Sequence, residues 1–232
     1  MIFKIFISGS DFMNEKIILK YDLNKVLPLE KALSYLKIDE TSEQYDEVTI
    51  LLDKAYKLGK PCGVFRECYI EDHDSENVTI DGIIFKGALI AEKLSEIHRV
   101  FPYIASCGLE LSTWADSLQD ELMKFYANTF NQYVVGAMSS HVNKMVMEYS
   151  GVEKFATLNP GSLPDWPITQ QRPLFKLLDG VTDEIGVCLT PSCLMIPIKS
   201  VSGILFPSST EWFNCMRCRR LNCPGRQAKY IE

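Results

Sequence analysis

The apolar residues between Ser42 and Leu58 recur at intervals of three and four positions, which is the spacing of one face of an α-helix. The positions that form this stripe are Tyr45, Val48, Leu51, Leu52, Ala55 and Leu58. Related patterns predict helices at 27–36, 87–98 and 170–178. The longest helical pattern runs from about 109 to 149 and is expected to contain a break. Helices are therefore predicted along much of the chain.

Two runs rich in β-branched and aromatic residues, Val64–Ile70 and Val78–Phe85, lie on either side of the polar, turn-forming stretch 71–77. This arrangement predicts two neighbouring antiparallel strands. Further runs with strand character occupy 16–22, 100–107, 155–158, 186–189 and 194–206. Helices mixed with antiparallel strands predict an α+β fold.

The division of the chain follows from its composition. Residues 1–206 contain no internal repeat and no low-complexity linker, so we expect one α+β domain over this range. Residues 207–232 carry three clustered cysteines and form a predicted Cys-rich C-terminal tail. At the other end, Met1–Gly9 is apolar but is interrupted by Lys4 and lacks a cleavage site. That pattern predicts a strand or an arm, not a signal peptide.

Charge and cysteine usage narrow the expected partners and compartment. The formal net charge is −6, so no net positive field attracts phosphate backbones and no nucleic acid is expected as a partner. No stretch reaches the roughly 18 uninterrupted apolar residues of a membrane-spanning helix, so no membrane is expected either. Eight cysteines without an export signal indicate a reducing compartment, which predicts a cytoplasmic protein.

The sharpest local chemical signal is the trio Cys215, Cys218 and Cys223. A spacing of two residues lets two thiolates bind one metal ion from a single loop, and the nearby arginines would stabilise thiolates. The trio predicts an iron-sulfur cluster, with zinc as the alternative metal and reduced structural thiols as the alternative interpretation. The candidates for a fourth ligand are Cys62, Cys68, Cys107, Cys188, Cys193, a substrate or a cysteine of another chain.

A second signal extends from Leu158 to Phe206. In order, the chain presents a Pro160-Gly161 turn, a helix that ends in Leu-Leu-Asp, a Leu-Thr-x-Ser-x-x-Met strand and the sequence Ser-Val-Ser-Gly at 200–203. In order and spacing these motifs resemble the activation domain of cobalamin-dependent methionine synthase and its stand-alone relatives. The resemblance implies a twisted antiparallel sheet with flanking helices. It also implies a role in returning oxidised cobalamin to its methyl-accepting state, with S-adenosylmethionine as methyl donor.

The chain departs from this family at the motif that holds S-adenosylmethionine, Arg-x-x-Pro-Gly-Tyr. Thr157 stands in the place of the arginine and Ser162 in the place of the tyrosine. The first change removes a bidentate partner for a carboxylate and the second removes an aromatic face, so both weigh against binding of S-adenosylmethionine in the family manner. The turn is expected either to hold another ligand or to serve as a structural corner.

The candidate ligand-binding residues around this turn are Asn159, Gly161, Ser162 and Trp166. Trp166 is expected either to stack on a flat ligand or to cover the edge of the core.

Two functions are consistent with these features. The first is a helper of corrinoid-dependent methyl transfer, in which the domain docks on a corrinoid protein and the cysteine tail delivers an electron through a metal or iron-sulfur centre. Cobalamin would then reach this chain only through the partner protein. The second is a non-catalytic module that binds a small molecule or a partner protein and retains the fold of the activation domain.

Overall fold

The computed structural model describes residues 15–210, 212–223 and 226–231. The strand or arm predicted at Met1–Gly9 lies outside these residues. Within them, the predicted α+β fold is confirmed, with an antiparallel sheet and helices on both of its faces. No helix in this part of the chain combines the length and the apolar character that crossing a membrane requires.

The strands and helices are numbered here in chain order. The strands are β1 (Lys16–Lys20), β2 (Cys62–Arg66), β3 (Cys68–His73), β4 (Asn77–Ile80), β5 (Ile83–Lys86), β6 (Arg99–Ser106), β7 (Phe155–Leu158), β8 (Cys188–Leu189), β9 (Met195–Ile196) and β10 (Ser200–Pro207). The helices are α1 (Leu23–Val26), α2 (Leu29–Leu36), α3 (Tyr45–Leu58), α4 (Ala88–Leu94), α5 (Leu109–Ser117), α6 (Glu121–Ser150), α7 (Gln171–Leu177) and α8 (Val181–Ile185).

Strand β6 is the centre of an eight-stranded antiparallel sheet. On one side it pairs with β2 and, nearer its start, with β3; on the other side it pairs with β10, which in turn pairs with β7. Strand β1 pairs with β2, and β3, β4 and β5 continue as a meander. A separate two-stranded ribbon is formed by β8 and β9.

The strand run predicted at 64–70 is divided in the structure. Residues up to Arg66 pair with β6 as β2, the chain then steps at Glu67, and Cys68 begins β3, which turns away to pair with β4. The run predicted at 78–85 is likewise a hairpin, because Asp81 and Gly82 have φ of 44° and 74°. Two consecutive positive φ angles are typical of the tight turn that joins twisted antiparallel strands.

Side chains of β6 alternate between two cores. Phe101 and Tyr103 pack on one face with residues of α6, whereas Val100 and Ile104 pack on the other face with residues of α4, α7 and α8. A third cluster joins α1, α2, α3 and α5 to the first half of α6. Since both faces of β6 are buried, this strand is apolar along nearly its whole length, in place of the alternation of a half-exposed strand.

The 30-residue helix α6 forms the layer on one face of the sheet. Its start is fixed by Asp120, whose side chain accepts a hydrogen bond from the backbone N–H of Met123 at 2.8 Å, and its end by Gly151 at a φ of 69°. The predicted break in the long helical pattern lies between α5 and α6. Close contact with the sheet depends on Gly63 of β2, where a Cβ atom would lie 2.7 Å from Cγ2 of Val142.

We expect Gly63→Ala to lower the free energy of unfolding by about 1–3 kcal/mol, because the added methyl group meets Val142 and, at 3.1 Å, the backbone oxygen of Ile104. Urea denaturation followed by circular dichroism measures the change. Gly136→Ala is the matched control. Gly136 lies inside α6, and apart from the helix's own backbone no atom lies within 4 Å of the place that its methyl group would take, so alanine there should stabilise the protein by about 0.5–1 kcal/mol. Equal destabilisation by both changes would contradict this packing account.

Candidate functional site

The candidate site is built around the turn Asn159–Ser162, which follows directly after β7. The backbone N–H of Ser162 donates to the carbonyl of Asn159 at 3.1 Å, and Pro160 and Gly161 occupy the two central positions. Gly161 has a φ of 83°, which a type II turn requires at its second central residue. A Cβ atom at Gly161 would also lie 3.0 Å from Cβ of Ile168. The Pro-Gly pair therefore fixes the shape of this turn.

The carboxamide of Asn159 connects the turn to the sheet and to the C-terminal segment. Its Nδ2 donates to the carbonyl of Ser202 on β10 at 2.8 Å and to the hydroxyl of Tyr103 on β6 at 3.2 Å. Its Oδ1 accepts a hydrogen bond from Nδ2 of Asn214 at 2.8 Å. One side chain thus joins three parts of the chain that are far apart in sequence.

The sequence Ser-Val-Ser-Gly on β10 is shaped to receive this side chain. A Cβ atom at Gly203 would lie 2.6 Å from Nδ2 of Asn159 and 2.6 Å from the carbonyl oxygen of Leu158, so only glycine fits there. Beside it, the buried hydroxyl of Ser202 donates to Oε1 of Gln171 at 2.8 Å, at the start of α7. The turn, β10 and α7 therefore form one connected polar junction inside a largely apolar layer.

The four residues predicted to bind a ligand lie in two different environments. Gly161 and Ser162 are exposed and Asn159 is half-buried. Trp166 is only 1% exposed and packs in the core near Phe85, with ring centroids 6.5 Å apart. As placed, Trp166 covers the core edge, and stacking on a ligand would require its side chain to move.

Three polar atoms near the turn are buried without a hydrogen-bond partner among the described residues. They are Oγ1 of Thr157, two positions before Asn159, Oδ1 of Asn214 and Nε1 of Trp166. An unpaired buried polar atom costs free energy and marks a place where a ligand or water can bind. The turn is therefore surrounded by uncharged polar groups that can form hydrogen bonds with a ligand or water.

The C-terminal segment is organised by the guanidinium of Arg226. Its five N–H groups donate to the backbone carbonyls of Cys215, Cys218, Arg220, Leu221 and Ala228, at distances of 2.7 to 3.2 Å. The backbone N–H of Ile231 donates to the carbonyl of Met216 at 2.7 Å. Residues 212–223 and 226–231 thus form a small folded unit, named here the cap.

The three cysteines of the cap do not converge on one point. Within the described ranges, no group of three or more His, Cys, Asp or Glu side chains is placed to hold a metal ion. Sγ of Cys215 accepts a hydrogen bond from the backbone N–H of Gln227 at 3.4 Å, and Cys218 packs against the core between the sheet and α4. The predicted metal or iron-sulfur centre is not supported by this geometry, since two of the thiols face different partners.

Four of the five candidates for a fourth ligand inside the domain, Cys62, Cys68, Cys107 and Cys193, are buried, and Cys188 is half-buried. Burial raises the pKa of the Cys62 and Cys107 thiols to about 12, and burial likewise raises the pKa of Cys68. A metal ligand has to be a thiolate, so the raised pKa values of Cys62, Cys68 and Cys107 weigh against metal binding by these three thiols.

A cleft of about 230 Å³ lies beside the cap, between α4 and the end of β10. Its walls include Glu92, Lys93, Phe206 and Trp212, and the Nζ atom of Lys93 lies 4.2 Å from the centroid of the Trp212 ring. The turn Asn159–Ser162 is not among its lining residues. The cap therefore contacts two separate features of the domain, the cleft and the turn.

Sequence reasoning missed three residues of this junction. Tyr103 lies in an apolar run whose pattern predicts only a buried strand. Gln171 lies in a helix whose sequence pattern indicates only an apolar face. Asn214 had no signal of its own because the adjacent cysteines dominated the interpretation of the segment. The Ser-Val-Ser-Gly motif was the one available pointer, since a glycine in a buried strand indicates a close approach.

The comparisons with known proteins concern the same region. Residues 114–225 match the sequence profile of the family described as vitamin B12 dependent methionine synthase, activation domain. Among solved structures, the chain is similar to the MetH reactivation domain bound to AdoHcy, with a TM-score of 0.64 and 19% sequence identity. That similarity covers 88% of this chain and 82% of the other, and it establishes the fold. No curated protein matches the chain.

We expect Asn159→Ala to lower the free energy of unfolding by about 1–3 kcal/mol, because the change leaves buried polar partners on β6 and β10 without hydrogen bonds. Chemical denaturation measures the effect. Ser162→Ala, on the same turn but with an exposed side chain, should change stability by less than about 0.5 kcal/mol. If the two variants were equally stable, Asn159 would not be the residue that anchors the turn.

Proposed function

Because residues 114–225 of this chain match the activation-domain family of vitamin B12-dependent methionine synthase, we propose that the protein assists corrinoid-dependent methyl transfer by reactivating an oxidised corrinoid protein. The partner carries the cobalamin, and this chain docks on the partner. Reactivation requires that cobalt gain one electron, from Co(II) to Co(I), and an external low-potential donor supplies this electron in the simplest form of the proposal.

The observation that carries the proposal is the junction between the turn and β10. Asn159 and Gly203 fit each other closely, and both lie in the segment that matches the family. The turn is therefore held in one shape before any ligand arrives, which lowers the entropy lost on binding.

The methyl donor is a separate question. Thr157 and Ser162 supply neither the guanidinium nor the aromatic ring of the family motif, and the turn offers neutral hydrogen-bonding groups instead. These residues do not fit S-adenosylmethionine in the family manner. We therefore derive no methyl-transfer step through it, and the proposal is limited to reactivation of the corrinoid partner.

A second candidate is electron delivery by this chain itself, through a centre bound by Cys215, Cys218 and Cys223. What favours it is that all three cysteines lie within the one small unit that Arg226 organises, next to several arginines. Metal binding would have to turn Cys218 away from the core and release Cys215 from Gln227. In this candidate, residues 1–206 dock on the corrinoid protein and residues 207–232 deliver the electron. The candidate also requires a reducing compartment such as the cytoplasm.

The proposal predicts that the full chain accelerates the loss of Co(II). A corrinoid protein loaded with cob(II)alamin is mixed anaerobically with a titanium(III) reductant, and the visible spectrum is followed with and without the chain. We expect a several-fold faster loss of the Co(II) band, reduced by Asn159→Ala and unchanged by Gly136→Ala on the remote face of α6. Addition of S-adenosylmethionine tests whether it is the donor.

Identical rates with and without the chain would remove the reactivation proposal. Complex formation on size-exclusion chromatography at unchanged rates would then support a non-catalytic binding module.

Metal analysis tests the second candidate independently. If the cap carries an iron-sulfur cluster, anaerobically purified protein should contain iron with matching sulfide, absorb in the visible range, and lose both in Cys218→Ser. Ser208→Ala, outside the cysteine trio, is the control for handling losses. Zinc without sulfide would make the cap a structural metal site, and the absence of iron and zinc would rule out electron delivery through the cap.

A further inference from the structure

Two cysteines of the cap, Cys215 and Cys218, lie on one tight 3₁₀ turn. Successive hydrogen bonds run from the backbone N–H groups of Met216, Arg217 and Cys218 to the carbonyls three residues earlier, at 2.8 to 3.3 Å. Side chains three residues apart on such a turn lie on the same side of it, about 6 Å apart along its axis. A disulfide spans Cα separations of about 4.4 to 6.8 Å, so the backbone places these two cysteines within bonding reach.

Arg226 holds the two ends of this turn together. Its Nη1 and Nη2 atoms donate to the carbonyls of Cys215 and Cys218, each at 2.7 Å. Since both nitrogens belong to one planar guanidinium, the two carbonyls are held side by side. Bringing the two sulfur atoms together then requires rotation of the side chains, while the backbone of the turn keeps its shape.

The two thiols have different surroundings in the structure. Sγ of Cys215 accepts a hydrogen bond from the backbone N–H of Gln227 at 3.4 Å, whereas Cys218 packs against the core of the domain. Rotation of Cys218 toward Cys215 removes its sulfur from that core. Packing of the cap on the domain therefore favours the two thiols over a disulfide.

The surface around the two thiols is positively charged. The described residues of the cap include no aspartate or glutamate, although the whole chain has a formal net charge of −6. Three of their basic residues, Arg219, Arg220 and Lys229, are exposed. A local positive field of this kind attracts anions and raises their rate of encounter with the surface.

We propose that Cys215 and Cys218 form a redox-active dithiol that exchanges with small anionic disulfides, of which oxidised glutathione is an example. Cys215 reacts first, because Cys218 lies against the core. The thiolate of Cys215 attacks one sulfur of the disulfide and expels a small thiolate. The thiolate of Cys218 then attacks the sulfur of Cys215 in the mixed disulfide and expels the second small thiolate. Two protein thiols and one small disulfide thus become one protein disulfide and two small thiols.

This exchange goes beyond the proposed function, because it requires no corrinoid partner. It also excludes metal binding by the cap in the oxidised state, since the disulfide consumes two of the three thiols that the second candidate function needs. Reduction restores both thiols. The cap would therefore bind a metal ion only while its dithiol is reduced.

Disulfide formation is measured on the full chain, reduced, freed of metal with a chelator and kept free of oxygen. The protein is mixed with oxidised glutathione, quenched by alkylation at intervals and mapped by mass spectrometry. We expect a disulfide between Cys215 and Cys218, with Cys223 left as a thiol. In Cys218→Ser the reaction should stop at glutathione bound to Cys215, because the second thiol is missing. Cys223→Ser should react like the unmodified chain.

The positive charge of the cap is tested by comparing two small disulfides. Oxidised glutathione is an anion at neutral pH, whereas cystamine is a cation. At low salt, Arg219→Glu combined with Arg220→Glu should slow oxidation by glutathione about fivefold or more and should not slow oxidation by cystamine. The difference should shrink at about 1 M salt, where exposed charges are screened. Leu221→Ala, at a neutral exposed residue, should change neither rate.

The absence of an intrachain disulfide in excess oxidised glutathione would overturn the dithiol, and so would a disulfide that uses Cys223. A stable glutathione adduct on Cys215 of the unmodified chain would also contradict it, because Cys218 should release that adduct. Equal slowing of both small disulfides by the charge reversal would overturn the preference for anions. These measurements contain no cobalamin, so their failure is distinguishable from failure of the corrinoid assay.

Discussion

Strand β6 is hydrogen-bonded along both edges and buried on both faces, and the positions of the other elements depend on it. Its alternate side chains fill two different cores, so α6 is held on one face while α4, α7 and α8 are held on the other. Neither layer could shift along the sheet without exposing residues that β6 buries. Gly63 lets α6 approach the sheet closely, because a Cβ atom at this position would collide with Val142 of α6 and would lie close to the backbone oxygen of Ile104 on β6.

The candidate site is a polar exception inside this apolar arrangement. The side chain of Tyr103 extends from β6 and ends in a hydroxyl group next to Asn159. Ser202 and Gln171 add further polar groups to this junction. Such groups are tolerated inside a protein only when nearly every donor and acceptor is paired. The carboxamide of Asn159 satisfies several of them at once, which explains why a turn at the end of an outer strand is so firmly tied to the middle of the sheet.

The sequence predicted the parts of the fold that depend on local patterns. The α+β fold, the break in the long helical pattern and the resemblance to the activation-domain family are all confirmed. The division at Glu67 was not predicted, because a change of pairing partner leaves no mark on β propensity. The hairpin turn at Asp81-Gly82 could have been predicted, since this dipeptide is a strong hairpin signal.

The site was harder to predict than the fold. Asn159 and Gly161 were chosen because a Pro-Gly turn has its own chemistry, and their role in ligand binding stays a prediction, whereas Trp166 was chosen for its ring and lies in the core. Asn214 depends on a contact across 55 positions, which no local pattern encodes. The three cysteines were close in sequence, but closeness in sequence does not orient side chains toward a common point.

Arg226 holds the cap together by binding backbone carbonyls and not side chains. The shape of the cap is therefore largely independent of which side chains stand at Cys218 and Arg220, whereas Cys215 also contributes its Sγ atom as an acceptor for the backbone N–H of Gln227. Substitutions at those positions could alter the reactivity of the cap, its charge or its grip on the domain while its fold stayed the same. Such a unit can gain or lose a chemical role through single substitutions during evolution, because Arg226 keeps the backbone of the cap folded when other side chains change.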